Sequence, residues 1–152
     1  MTKPPVLILG ARSDVGKAVA HKFAALGHPI MLAARNGLGL EADKTDMELR
    51  FGVAVSLHEF DALSADTHEA FVAALSELPR IAVSTVGLMG QQEETQHDMT
   101  AAALVMRSNY EGPASILAVL ANRFEQRGSG TLVGVSSVAG ERGRAANYVY
   151  GS

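Results

Sequence analysis

Five short apolar runs, each closed by turn residues and separated by segments of helical period, fix most of what this chain can fold into. Val6-Leu7-Ile8-Leu9 is apolar at every position and stops at Gly10. A run apolar throughout, rather than at alternate positions, reads as a strand buried on both faces. From Asp14 to Leu26 the period becomes helical: Val15, Val19, Phe23 and Leu26 share one face, and Gly27 follows as a stop. Pro29 to Ala34 is the second strand, residues 38–51 a second helix, and residues 53–57 the third strand. Asp66 to Leu78 reads as a helix with Phe71, Leu75 and Leu78 on one face, capped by Asp66 or Ser64 and ended by Pro79. Ile81 to Val86 is the fourth strand, residues 97–127 a long helix, and Thr131 to Val135 the fifth strand. Strands and helices in strict alternation imply an α/β fold: a doubly wound parallel sheet with right-handed crossovers and helices on both faces.

The 152 residues suit a single domain, and 47% hydrophobic content supplies its core. Cysteine is absent, which excludes a disulfide scaffold and a Cys-ligated zinc site. A formal net charge of −3 gives no electrostatic case for nucleic acid or an anionic membrane surface. No apolar run approaches the ~20 residues of a membrane span, and the N-terminus has no signal-peptide core. The expectation is a cytoplasmic protein. His21, His28, His58, His68 and His97 show no metal-ligand spacing beside a carboxylate and read as surface or packing residues; no metal site is expected.

The first strand-to-helix turn is Gly10-Ala11-Arg12-Ser13-Asp14-Val15-Gly16. Such a turn suits phosphate: glycine lets the backbone approach closely, and the helix N-terminus presents unpaired N–H groups and partial positive charge. A tight turn with no ligand would also use glycine. The end of the second strand says more. An NAD site places Asp or Glu about 20 residues past the glycine motif, against the ribose hydroxyls. Here that place is Ala34, followed by Arg35 and Asn36. An absent carboxylate and a present arginine favour a 2′-phosphate, hence NADP(H) over NAD(H). Arg12 supplies a second cation; taken singly, each arginine also fits a solvated surface charge. Asp61-Ala62 follows the third strand, where the carboxylate either accepts from an adenine amino group or caps its own turn. Val86-Gly87 closes the fourth strand at the same carboxyl edge.

In this order the residues resemble the short-chain dehydrogenase/reductase family. The first turn resembles its Thr-Gly-x-x-x-Gly-x-Gly loop. Ser84-Thr85-Val86-Gly87 stands where the family has Asn-Asn-Ala-Gly, Asn109-Tyr110-Glu111-Gly112 lies in the long helix, and Val135-Ser136-Ser137-Val138-Ala139-Gly140 follows the fifth strand. Tyr148-Val149-Tyr150-Gly151-Ser152 looks like the start of Tyr-x-x-x-Lys. The wording is most similar to a bacterial branch that includes decaprenyl-phosphoryl keto-ribose reductases. The resemblance implies a Rossmann-type sheet in the order 3-2-1-4-5, truncated before the family's last helices and strands. Ser137 resembles the serine that hydrogen-bonds the substrate carbonyl, and Tyr150, 13 positions later, the acid/base. Ser136 and Tyr148 stay open as alternatives. Asn109 resembles the asparagine whose main-chain carbonyl holds a relay water. An independent argument supports it: Pro113 brings no N–H to that carbonyl, so the helix kinks there, unless Gly112-Pro113 simply separates two helices.

Three departures stand out. Asp14 occupies the loop's middle glycine position, where a carboxylate must point away from a pyrophosphate, Leu9 replaces the usual Thr before Gly10, and Ser84-Thr85-Val86 lacks the family's amides. The family's lysine, four positions past the tyrosine, would fall two residues beyond Ser152. The expectation is therefore the N-terminal part of an NADP(H)-dependent carbonyl or keto-sugar reductase acting on a small molecule, inactive as 152 residues and a homo-oligomer at full length. The alternatives are a non-catalytic nucleotide-binding or interaction module and a sugar-nucleotide epimerase or dehydratase. Loss of the later helices is expected to expose the apolar face of residues 116–124 and an unpaired fifth-strand edge.

Overall fold

All four side chains of β1 (Val6–Leu9) are fully buried in the computed structural model, which describes residues 3–152. β1 pairs in parallel with β2 (Ile30–Ala34) on one side and β4 (Ile81–Ser84) on the other. β3 (Val55–Glu59) lies outside β2 and β5 (Thr131–Gly134) outside β4, giving the order β3-β2-β1-β4-β5. Alternation along β1 splits the core in two. Val6 and Ile8 join Ile30, Leu32, Val55 and Val83 beneath α1 (Asp14–Ala25) and α2 (Glu41–Phe51). Leu7 and Leu9 join Met31, Ala33 and Ala82 beneath α3 (His68–Ala73) and the long helix that leads to β5. Each buried Leu, Ile or Val contributes about 1.5–3 kcal/mol, and β1 supplies two such residues to each half of the core.

The face that α1 buries differs from the expected one. Gly16, Ala20 and Ala24 face the sheet, Val19 and Phe23 flank them, and Val15 and Leu26 are half exposed. Small residues at i, i+4 and i+8 let the helix axis sit close to the strands, so the bulky residues are displaced sideways. Gly27 ends the helix as expected, its N–H bonding Ala24 O while His28 N–H bonds Phe23 O. β3 runs two residues further than its apolar stretch, because pairing with β2 continues to Ala34 and Glu59. A short 3₁₀ turn, Ala65–Thr67, leads into α3, and no side chain caps either one. α3 stops at Ala73 rather than Leu78; Arg127 Nη1 donates to Leu78 O at 2.9 Å and fixes the turns that follow.

After the short α4 (Gln92–Thr95), α5 (Met99–Met106) starts under an Asp98 cap. It continues through a widened turn, Arg107–Glu111, into α6 (Gly112–Arg127). Gly112-Pro113 therefore does not separate two helices. With no proline N–H to accept, the chain shifts register, and Gly112 N–H bonds Arg107 O five residues back. The expectation for residues 116–124 is corrected: Ile116, Leu120 and Phe124 are buried against Phe60 and Val72. What stands exposed is the opposite sheet face at β5, with Val133 and Val135.

α6 begins at a glycine because a Cβ on Gly112 would lie 2.5 Å from Ala62 O. The helix thus rests directly on the loop after β3. Gly112→Ala is expected to cost about 1–3 kcal/mol through overpacking, read as a lower urea midpoint. An unchanged midpoint would show that this contact is loose.

Candidate functional site

The turn between β1 and α1 is closed by two hydroxyls. Ser13 Oγ accepts from Gly16 N–H at 2.9 Å, capping α1, and donates to Gly10 O at 2.9 Å. Thr85 Oγ1, just past β4, lies 3.1 Å from Ser13 Oγ and 3.0 Å from Leu9 O. The glycines make this closeness possible. A Cβ on Gly10 would lie 2.8 Å from Val86 N, and one on Gly16 2.7 Å from Gly10 O. Gly10 also has φ +81°, a conformation that L side chains rarely adopt. Gly10 and Ala11 N–H both donate to Ala33 O, and Ser13 N–H donates to Gly10 O. Among the described residues, the N–H groups of Arg12, Asp14 and Val15 have no such partner. They are the donors a helix N-terminus leaves for an anion.

A cavity of about 220 Å³ opens beside this turn. Gly10, Arg12, Ser13, Ala34, Arg35, Asp61, Ala62, Val86 and Gly87 line it, together with Phe60, Leu63 and Ser108. Most of the cofactor-site residues expected from sequence therefore converge. Asp14, Val15, Gly16 and Asn36 do not line it. Asp14 is exposed at the first turn of α1, where a carboxylate suits the helix dipole, while Ser13 rather than Asp14 makes the cap. Gly16 is buried beneath the turn. Asn36 follows Arg35 with φ +52° and is exposed. Arg12 and Arg35 are exposed at the cavity, and among the described residues neither joins a side-chain ion pair. Asp61 makes its own turn, accepting from Leu63 N–H at 3.0 Å and Ser64 Oγ at 3.3 Å, while still forming part of the wall.

A second cavity, of about 430 Å³, continues past Val86, Gly87 and Leu88. Val15, Asn109, Ser136, Ser137, Tyr150 and Gly151 line it. Ser137 Oγ accepts from Ala139 N–H at 3.2 Å, which fixes its rotamer. A Cβ on Gly151 would lie 2.5 Å from Ala139 O, so the tyrosine segment is seated on the serine turn. Gln92 Oε1 accepts from Val149 N–H at 3.3 Å from above. Tyr150 is half-buried; Tyr148 is more exposed and is not among the lining residues.

The side chain of Asn109 does something its sequence position did not suggest. Its Oδ1 accepts from Leu88 N–H at 3.0 Å, and its Nδ2 donates to Leu88 O and to Val105 O. The amide stitches the loop after β4 to the long helix. His68 is fully buried beneath the Asp61 loop: Nε2 lies 3.2 Å from Asp61 O and Nδ1 2.9 Å from Ser115 Oγ. A carbonyl only accepts, so Nε2 carries the hydrogen and Ser115 donates to Nδ1. His58 has its pKa lowered by partial burial; it is neutral at pH 7 and pairs with Ser56 Oγ at 2.8 Å. No helix among the described residues is long and apolar enough to cross a membrane.

Comparison with known proteins agrees with this fold. The family model for short chain dehydrogenase matches residues 5–152. An uncharacterized oxidoreductase of Mycobacterium tuberculosis is 39% identical over 97% of this chain and 60% of its own length. A sulfoacetaldehyde reductase of Chromohalobacter salexigens is 33% identical over 97% of this chain and 59% of its own. Among solved structures, a short-chain dehydrogenase from Sphingobium yanoikuyae in complex with NADPH superposes with a TM-score of 0.86 at 27% identity. That match covers 98% of this chain and 59% of the neighbour. The chain thus spans about 60% of the length of these relatives.

Asn109→Ala removes three hydrogen bonds and leaves the Leu88 amide unpartnered. The expected result is a loss of about 1–3 kcal/mol and faster amide hydrogen exchange at Leu88. Unchanged exchange there would contradict the stitching role.

Proposed function

This chain belongs to the short-chain dehydrogenase/reductase family, and from that premise we propose that the protein is an NADP(H)-dependent carbonyl reductase. One observation carries the cofactor choice. Where an NAD site needs a carboxylate, β2 ends in Ala34, and Arg12 and Arg35 line the same cavity. A 2′-phosphate brings negative charge to that wall, and a guanidinium fork meets it with paired, charge-assisted hydrogen bonds. The NADPH complex of the Sphingobium relative supports the same choice.

The remaining residues fit the group. Arg12, Asp14 and Val15 N–H are left to meet a pyrophosphate, and Ala34, Ala62, Leu63 and Val86 make a small apolar slot of the kind a planar adenine fills. Val15, although outside that cavity, lines the second one, and Asn36 directly follows the lining Arg35 in the chain. When bound, the nicotinamide supplies a hydride to a carbonyl carbon. Ser137 donates its hydroxyl proton in a hydrogen bond to the carbonyl oxygen, holding it in place. Tyr150 delivers its phenolic proton as the oxygen gains charge. Having given up that proton, Tyr150 regains one through a relay. The Asn109 carbonyl, which receives no N–H from Pro113, is the acceptor on which such a relay water rests.

A keto-sugar is the finer part of the reading, and it rests on the resemblance of three stretches, Leu9 to Asp14, Ser136 to Arg144 and Asn147 to Gly151, to the keto-ribose reductase branch. The sulfoacetaldehyde reductase relative supports carbonyl reduction at the coarser level.

Fluorescence titration of the protein with NADPH and NADH tests the cofactor choice. NADPH is expected to bind about tenfold or more tightly, and Arg35→Ala to erase most of the difference. Tighter binding of NADH would overturn the assignment.

A further inference from the structure

We infer that Glu59 is a positioning residue for the 2′-phosphate subsite: its carboxylate folds the loop that carries Arg35. The inference rests on the NADP(H) reading above. Glu59 is the last residue of β3 and pairs in register with Ala34, the last residue of β2. Oε1 accepts from Asn36 N–H at 2.9 Å and Oε2 from Gly37 N–H at 2.8 Å. One carboxylate thus gathers two successive amides immediately after Arg35, an arrangement that ordinarily binds anions.

The backbone shows what this holds. Among the described residues Asn36 alone, apart from glycines, has positive φ, at φ +52° and ψ +52°. Asparagine tolerates this left-handed conformation better than most residues, yet it remains disfavoured without support. A Cβ on Gly37 would lie 2.6 Å from His58 O, so the loop is pressed onto the backbone just before Glu59. The chain therefore reverses sharply after Arg35, leaving that guanidinium at the cavity wall. The turn continues through Gly39, above which Arg12 lies: a Cβ there would meet Asn36 Nδ2 at 3.2 Å and Arg12 Nη1 at 3.3 Å. Arg12, Arg35 and the Asn36 amide are gathered on one side of the loop, with Glu59 fastening it from beneath.

A chemical consequence follows. Glu59 already occupies the two loop amides, so an incoming phosphate is met by side chains rather than by backbone N–H groups. Nucleotide selectivity then depends on a residue that touches the loop and need not touch the nucleotide.

The test is equilibrium binding of 2′,5′-ADP and 5′-ADP by calorimetry to wild type, Glu59→Ala and Glu59→Gln, with melting temperature measured alongside. Wild type is expected to prefer 2′,5′-ADP. Glu59→Ala is expected to weaken 2′,5′-ADP about tenfold and to leave 5′-ADP within about twofold. Glu59→Gln keeps one acceptor oxygen and is expected to fall between; it carries the test if Glu59→Ala does not fold. A wild type without preference overturns the NADP(H) reading itself. A wild type that prefers 2′,5′-ADP, with variants that keep or strengthen that preference, overturns the role of Glu59. Equal weakening of both nucleotides overturns it too, since that marks a general structural loss.

Discussion

Beneath the first turn the hydroxyls of Ser13 and Thr85 lie 3.1 Å apart, and the architecture of the cavity depends on the carbonyls to which each gives its single proton. This arrangement joins the N-terminus of α1 to the end of β4, two elements far apart in the chain. The Ser13 hydroxyl donates to Gly10 O and the Thr85 hydroxyl to Leu9 O, adding to the backbone bonds that these carbonyls accept from Ser13 N–H and Thr85 N–H. With those carbonyls satisfied, the turn needs no ligand to hold its shape. Three N–H groups at its outer side are then free for an anion, and they are preorganised rather than recruited. The same arrangement demands glycine at 10 and 16, because any Cβ there would occupy the space that the hydroxyls and the Val86 amide use.

Close approach recurs wherever an element borders the site. Gly112 lets α6 touch the Ala62 loop, Gly37 lets the β2 loop touch the end of β3, and Gly151 seats the tyrosine segment on the Ser137 turn. Each replaces a side-chain layer by backbone contact, which shortens the distance between walls and leaves little slack for relative motion. The widened turn at Arg107–Glu111 belongs to this pattern, since it lets a helix containing Pro113 remain continuous and still present Asn109 to Leu88. Polar side chains then stitch what the glycines bring together: Asn109 for the β4 loop, His68 for the Asp61 loop, Glu59 for the β2 loop.

The sheet was legible in the sequence because its signals are local. Val6 to Leu9 declares a doubly buried strand by itself, Gly27 marks a helix stop, and the alternation of periods orders the rest. The cavity's glycine turn and its arginines were legible for the same reason, as a turn and a charge at known offsets from strands. What could not be read depends on partners distant in sequence. The bond from Asn109 to Leu88 spans 21 positions and that from Gly37 to Glu59 spans 22. Nothing in the run His58-Glu59-Phe60 signals that the carboxylate will lie beneath Asn36, since that follows from the register of β2 on β3. The buried face of α1 differs from its most hydrophobic one for a related reason: hydrophobicity favours Val15 and Leu26, whereas the space between helix and sheet places Gly16, Ala20 and Ala24 innermost with Val19 and Phe23 at their flank.

The central claim is that the β1–α1 turn and the two arginines form one cradle for a 2′-phosphorylated dinucleotide. Amide chemical-shift mapping of the protein with NADPH addresses it directly. The cradle predicts that the largest shifts fall on Arg12, Asp14, Val15 and Arg35, with smaller ones at Ala62 and Gly87. Shifts concentrated instead along the groove between β3 and α3, around His58, Ala70 and Phe71, with the turn unmoved, would contradict it.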